Sequence, residues 1–199
     1  MRKIHPKYED IVDNELIKLS EYLSPYFKEL NLSANDITTL SFIFGLISLY
    51  LLYHGYYDYF PFVYLISYFF DVMDGYYARK YKITSKFGDL YDHIKDNILG
   101  IALFIIAVCD VDKKNSDYLK YYLSIAFFFF ILMNYYIGCQ ENIYNKNNDK
   151  NSVLDLHKAL CKKNPKKQIK ILKYFGTGVF VSIISFLIYS IKHIPIKYK

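Results

Sequence analysis

Four aspartates, Asp71, Asp74, Asp92 and Asp96, stand within 26 residues, at the ends of two strongly apolar stretches. Carboxylates are costly beside a bilayer; where they occur there, they face a polar cavity and serve a function. Their spacing narrows what the segment can fold into. Asp71, Asp74, Gly75 and Ala78 follow i, i+3, i+4, i+7 and so share one helix face. Gly88, Asp92 and Asp96 step by four and share a face on the next helix. Two such faces turned toward one space offer oxygen ligands and glycine gaps, which suits hard divalent cations and phosphate.

The rest of the chain supports a membrane setting. Its 199 residues are 53% hydrophobic and 20% aromatic, and the charged 22% cluster away from long apolar runs, as in a polytopic membrane protein. Spans are expected at about 37–54, 56–77, 88–108, 118–138 and 171–191, with polar connections at 110–117 and 140–170. Residues 5–30 read as an amphipathic helix lying in the interface, its apolar stripe formed by Tyr8, Val12, Leu16, Leu19, Leu23, Phe27 and Leu30 and its other face by Lys and Glu. Ser24-Pro25 is expected to break or bend it. This divides the chain into an interfacial helix and turn, 1–36, and a transmembrane domain, 37–199.

The formal charge of +6 is concentrated in loops, which reads as topology; no nucleic-acid partner is expected. Lys and Arg crowd the N-terminus, the 79–95 connection and the 140–170 segment, so that side is assigned to the cytosol, with the four aspartates on it. The tail residues Lys192, Lys197 and Lys199 are the discordant piece, because five spans leave them outside. The cysteines Cys109, Cys139 and Cys161 have no paired spacing, so neither a disulfide framework nor a zinc site is expected. The polar N-terminus suggests no cleaved signal peptide.

A cytosolic cavity with four carboxylates could bind two Mg²⁺ or Mn²⁺ ions, bridge a diphosphate and leave one carboxylate to take a proton from an attacking hydroxyl. Gly75 and Gly88, and less completely Ala78, leave room for substrate, while Arg79 is a donor fork for phosphate.

The string Asp71-x2-Asp74-Gly75-x2-Ala78-Arg79-x8-Gly88-x3-Asp92-x3-Asp96 resembles the signature of the CDP-alcohol phosphotransferase family, with every fixed position present. The resemblance implies an enzyme of phospholipid synthesis that cleaves a CDP-linked donor and transfers the phosphoryl-bearing group to an alcohol or lipid acceptor, releasing CMP. It implies that Asp71, Asp74 and Asp92 hold two metal ions and that Asp96 shares them or acts as base. Gly75, Ala78 and Gly88 would line the CDP pocket, and Arg79 would steady the acids or a phosphate. Asn35-Asp-Ile-Thr38 is similar to a further family element, usually Pro-Asn-x-Ile-Thr, which would bring Asn35 and Thr38 near the nucleotide; here Ala34 replaces the proline. The family also implies six core helices and a homodimer.

The subfamily signals diverge. Gly-Asp-Leu-Tyr-Asp92-His93 resembles choline and ethanolamine phosphotransferases, whereas Thr84-Ser-Lys-Phe-Gly88 and the Asp-Gly-Tyr-Tyr-Ala-Arg-Lys string resemble the CDP-diacylglycerol-dependent phosphatidylglycerophosphate synthases. His93 and Lys95 are candidate substrate contacts. The expected fold is all-α, a polytopic membrane helix bundle of five to six transmembrane helices with the interfacial helix before it. The expected function leans to an ethanolamine- or choline-phosphotransferase-like activity. The alternative is a CDP-diacylglycerol-dependent phosphatidyltransferase acting on glycerol phosphate, inositol or serine. From other classes, a cation transporter predicts acids near the midplane of several spans, and an inactive scaffold predicts a lost aspartate. The membrane would be of the endoplasmic-reticulum type in a eukaryote or virus and the plasma membrane in a prokaryote.

Overall fold

The computed structural model describes residues 2–114, 117–144 and 155–193, and among these it is all-helical. Asp10 caps helix α1 (Ile11–Glu29), its carboxylate accepting from the backbone N–H of Val12 at 2.7 Å and of Asp13 at 3.1 Å. Helix α2 (Ala34–Tyr53) opens with a capping box between Ser33 and Asp36. Helix α3 (Phe60–Lys80) carries Pro61 in its first turn, where a missing N–H costs nothing. Then follow α4 (Lys86–Lys114), α5 (Asp117–Tyr144), the short α6 (Asp155–Leu160), α7 (Pro165–Leu172), a 3₁₀ turn at Lys173–Phe175, and α8 (Thr177–Ser190).

Helix α2 packs along both α3 and α4 and stands between them, while α3 rests against α1 and α8, and α5 against α6, α7 and α8. Small residues permit the close approaches. A Cβ on Gly45 of α2 would lie 2.5 Å from Leu99 Cδ1 of α4. The Ser67 hydroxyl of α3 donates to the Ser41 carbonyl of α2 at 2.8 Å. Among the described residues, three helical stretches are long and apolar enough to cross a membrane: Ala34–Tyr53, Lys120–Tyr144 and Pro165–Ser190. Helices α3 and α4, expected as further spans, are less apolar because they carry the aspartates and basic residues. Their exposed faces are nonetheless oily, with Phe62, Leu65 and Ile66 on α3 and Ile98, Ile101, Phe104 and Ile105 on α4. The arrangement is that of a helical membrane bundle.

Several expectations need correction. Helix α1 runs through Pro25 without ending. Proline cannot donate to the Glu21 carbonyl, but that carbonyl accepts instead from the Ser24 hydroxyl at 3.1 Å and from Lys80 Nζ at 3.5 Å. The face of α1 that packs on the bundle is Asp13, Ile17, Ser20 and Ser24, whereas Leu19 and Leu30 of the apolar stripe are exposed. Small and polar residues let α1 lie close on α3, and part of its oily stripe is left to the surroundings. The short polar connection expected at 110–117 is largely helical among the described residues, since α4 continues to Lys114 and α5 begins at Asp117. The 140–170 segment is partly helical, holding the end of α5, α6 and most of α7.

The largest departure is a disulfide. Cys139 of α5 bonds Cys161, just beyond α6, across 22 residues, with the Cα atoms 5.0 Å apart. Both are buried with Ile4, Tyr136 and Ile169. Nothing in the spacing announced it, because proximity here comes from α6 folding back on α5. A Cβ on Gly138 would lie 2.1 Å from the His157 carbonyl oxygen, so that fold-back depends on glycine.

Asp10 also joins the two ends of the chain. It is fully buried, and its second carboxylate oxygen accepts from the Val179 N–H of α8 at 3.2 Å. Lys192 pairs with Asp58 in the turn before α3, which sets that tail residue at the end of the bundle opposite the aspartates. Lys146, Lys150, Lys197 and Lys199 lie outside the described residues.

Candidate functional site

The last turns of α3 and the first turns of α4 meet the start of α2 at one end of the bundle. The helical repeat puts Asp71 and Asp74 on one face of α3 and Asp92 on the facing side of α4, and α2 holds the two helices at the separation the acids need. One carboxylate oxygen from each of Asp71, Asp74 and Asp92 lies within 4.8 Å of the others. Asp74 is buried, and its Oδ2 has no hydrogen-bond partner. The Thr38 hydroxyl, on the first turn of α2, is within hydrogen-bonding reach of the same carboxylate. Asp96 stands outside the triplet with its side chain 52% exposed.

Lys95 enters the middle of this group. It is buried, its ammonium pairs with Asp71, and it lies 2.8 Å from Asp92 Oδ1, 3.2 Å from Asp96 Oδ1 and 3.3 Å from the Ser41 hydroxyl. Three carboxylates are thus countercharged by one lysine, with Ser41 of α2 as its uncharged fourth neighbour.

The glycines of the pattern have specific neighbours. A Cβ on Gly75 would come within 3.0 Å of Arg79 Nη1, so the missing side chain gives room for the guanidinium folded back along α3. A Cβ on Gly88 would sit 2.9 Å from Asn35 Oδ1 and 3.1 Å from the Ser85 hydroxyl, which itself accepts from the Gly88 N–H at 3.0 Å. Asn35 and Gly88, 53 residues apart, therefore meet at the mouth of the site. Ala78 is half-buried on the same α3 face. His93 turns to Asp89, with Nε2 3.7 Å from its carboxylate. Arg79 lines a cavity of about 290 Å³ with Arg2, Lys82, Thr84 and Tyr144. Basic and hydroxyl groups dominate that lining among the described residues.

A second acidic group escaped sequence reading. Asp13 of α1 is buried and accepts from the Tyr68 hydroxyl at 2.5 Å, one turn of α3 before Asp71. Glu9 is buried too; its Oε1 accepts from Tyr136 at 3.3 Å and from Gln140 Nε2 at 2.9 Å. Burial holds the Asp13 carboxyl well above the usual carboxylate range, and the nearby Asp10, Glu9 and Asp71 push it further, against the opposing Tyr68 hydrogen bond. Burial raises Glu9 and Asp10 as well. The signal for this group was the buried phase of α1, which its hydrophobic periodicity hid.

Three carboxylates, one of them with a buried unpartnered oxygen, make an all-oxygen donor set, which fits a hard divalent cation such as Mg²⁺ or Mn²⁺. Over residues 31–193 the sequence matches the family described as CDP-alcohol phosphatidyltransferase. The chain belongs to that family. The match takes in every helix from α2 to α8 and both halves of the aspartate pattern. Neither a curated protein nor a solved structure matches the chain. As a CDP-alcohol phosphatidyltransferase family member it is a transferase of membrane phospholipid synthesis acting on CDP-alcohols, in a family that uses divalent metals, and its apolar helices fit an integral membrane protein.

Proposed function

We propose that this family member cleaves a CDP-linked donor and transfers the substituted phosphate to an alcohol, releasing CMP, at the acid cluster of α3 and α4. The observation that carries the reading is the convergence of Asp71, Asp74 and Asp92 from two helices, with the Asp74 Oδ2 buried and unpartnered. Asp71, Asp74 and Asp92 would hold two divalent cations, which when bound neutralise the diphosphate and stabilise charge on the departing phosphate. Asp96, half-exposed and one turn along α4 from Asp92, takes the proton of the acceptor hydroxyl. The acceptor oxygen forms its bond to the transferred phosphorus as the bond from that phosphorus to the CMP oxygen breaks, and CMP leaves with the electron pair.

Gly75, Ala78 and Gly88 leave space for the nucleotide, and Asn35 and Thr38, at the start of α2, flank it. Residues 1–36 act as the interfacial helix and turn, and 37–199 as the catalytic domain, working as a homodimer. The active end faces the cytosol, a reading supported by Arg2, Lys3, Lys7, Arg79, Lys82 and Lys86 in the segments at that end.

Two donors are in play. The Asp92-His93 pair speaks for a CDP-amino alcohol with a diacylglycerol acceptor. The basic cavity of Arg2, Arg79 and Lys82 favours a second reading, in which CDP-diacylglycerol is the donor and the acceptor carries an anionic group. Purified protein in detergent, incubated with radiolabelled CDP-ethanolamine, CDP-choline or CDP-diacylglycerol and a panel of acceptors, should release CMP only with Mg²⁺ or Mn²⁺ present. Absence of metal-dependent release with every donor overturns the enzyme reading and leaves the transporter or scaffold.

A further inference from the structure

The aspartate pattern accounts for the carboxylates but not for the lysine among them. Lys95 is the largest charged side chain buried to near completion, 1% exposed, and its ammonium touches Asp71 of α3 and both Asp92 and Asp96 of α4. A buried ammonium needs countercharge, and clustered carboxylates need a cation; each meets the other's requirement. The placement also has a mechanical side. Helices α3 and α4 each pack on α2 rather than closely on one another. The Lys95–Asp71 pair bridges that separation, and Ser41 of the intervening helix lies 3.3 Å from the same ammonium. Two of the three oxygen donors that could hold a metal, Asp71 and Asp92, are therefore the ones this lysine engages.

We propose that Lys95 is a tethered counter-cation of the acid cluster: it keeps the aspartates of α3 and α4 assembled, and it competes with divalent metal for their oxygens. It is a positioning residue, and it sets the metal concentration at which the site loads. The proposal rests on the metal-centre reading above. Its consequence is that removing the positive charge weakens the protein without metal and strengthens metal binding, a combination that a purely structural ion pair does not produce.

The test uses full-length protein in detergent, purified with Mn²⁺ and then exchanged. Mn²⁺ binding followed by electron paramagnetic resonance should be about tenfold or more tighter in Lys95→Met than in wild type, since a like charge has left the site. Lys95→Gln should behave the same way. In EDTA, both variants should melt earlier than wild type and regain the loss on adding Mn²⁺. Equal or weaker Mn²⁺ binding by both variants overturns the proposal and leaves the metal centre standing. No Mn²⁺ binding by wild type or variants overturns the metal reading, and the proposal with it. If neither variant folds, wild type decides: it should keep a cooperative melt in EDTA, and loss of that melt shows that Lys95 does not countercharge the cluster.

Discussion

Replacing Asp13 by Asn should stabilise the protein, by an amount that grows with pH. The carboxyl is buried beneath α1, hydrogen-bonded to the Tyr68 hydroxyl, and faces Asp10, Glu9 and Asp71, so the folded chain holds its proton to a higher pH than the unfolded chain does. A carboxyl raised in this way binds more protons folded than unfolded. Its contribution is therefore fully present below the unfolded pKa and is lost as pH climbs toward the folded pKa. Within that window the loss amounts to ~1.4 kcal/mol per pH unit. For a chain of this size that is about 3–6 °C of melting temperature per unit. Asparagine keeps an acceptor for Tyr68 and has no proton to lose. Thermal unfolding in detergent from pH 4.5 to 8.5 should show a falling midpoint in wild type and a shallower slope in Asp13→Asn, with the variant more stable at the alkaline end. The slope is reduced rather than abolished, because Glu9 and Asp10 are raised too and act with the same sign. Parallel pH profiles, or a wild-type midpoint that rises through this range, would refute the reasoning.

Asp92→Asn should abolish metal-dependent CMP release while leaving helicity and gel-filtration behaviour unchanged; an active variant removes Asp92 from the metal ligands. Reducing the Cys139–Cys161 bond, or changing both residues to Ser, should lower stability by about 3 kcal/mol for a loop of this length, seen as an earlier melt. Gly138→Ala should cost more than about 1–3 kcal/mol, since the new methyl meets backbone at 2.1 Å and pushes α6 from α5; a wild-type melting curve contradicts that packing. Pro25→Ala should stabilise α1 by up to about 3 kcal/mol, less whatever the Ser24 and Lys80 contacts to the Glu21 carbonyl already recover; a lower melting temperature argues against the substitute bonding described for that carbonyl.

The acid cluster was legible before the structure because its geometry is local. Steps of three and four fix which side of a helix a residue occupies, and both halves of the site sit on single helices one short turn apart. The match of Asn35 with Gly88 was half visible as a motif at the start of the first span. Features that depend on distant packing were not visible. Cys139 and Cys161 carry no mark of their pairing, which follows from how α6 lies on α5. The protein-facing side of α1, Asp13, Ile17, Ser20 and Ser24, was not read because hydrophobic periodicity identifies the oily face, and in a membrane the oily face can point to lipid while small and polar residues point to protein. Lys95 was singled out as a substrate contact, yet its place three residues after Asp92 already put it within a turn of the acids. What sequence lacked was the pairing of its ammonium with Asp71 across the gap.

Asp10 ties the first helix to the last, and this sets an order of assembly. Its carboxylate serves the opening turns of α1 and the Val179 N–H of α8, and a Cβ on Gly176 would lie 2.4 Å from it. Residue 179 leaves the ribosome roughly 10 to 30 s after residue 10, at about 5–20 residues per second. Until then α1 has no α8 to dock on. Closure of the bundle therefore waits for α8, and a chain that stops short of it leaves the second Asp10 carboxylate oxygen without the Val179 N–H.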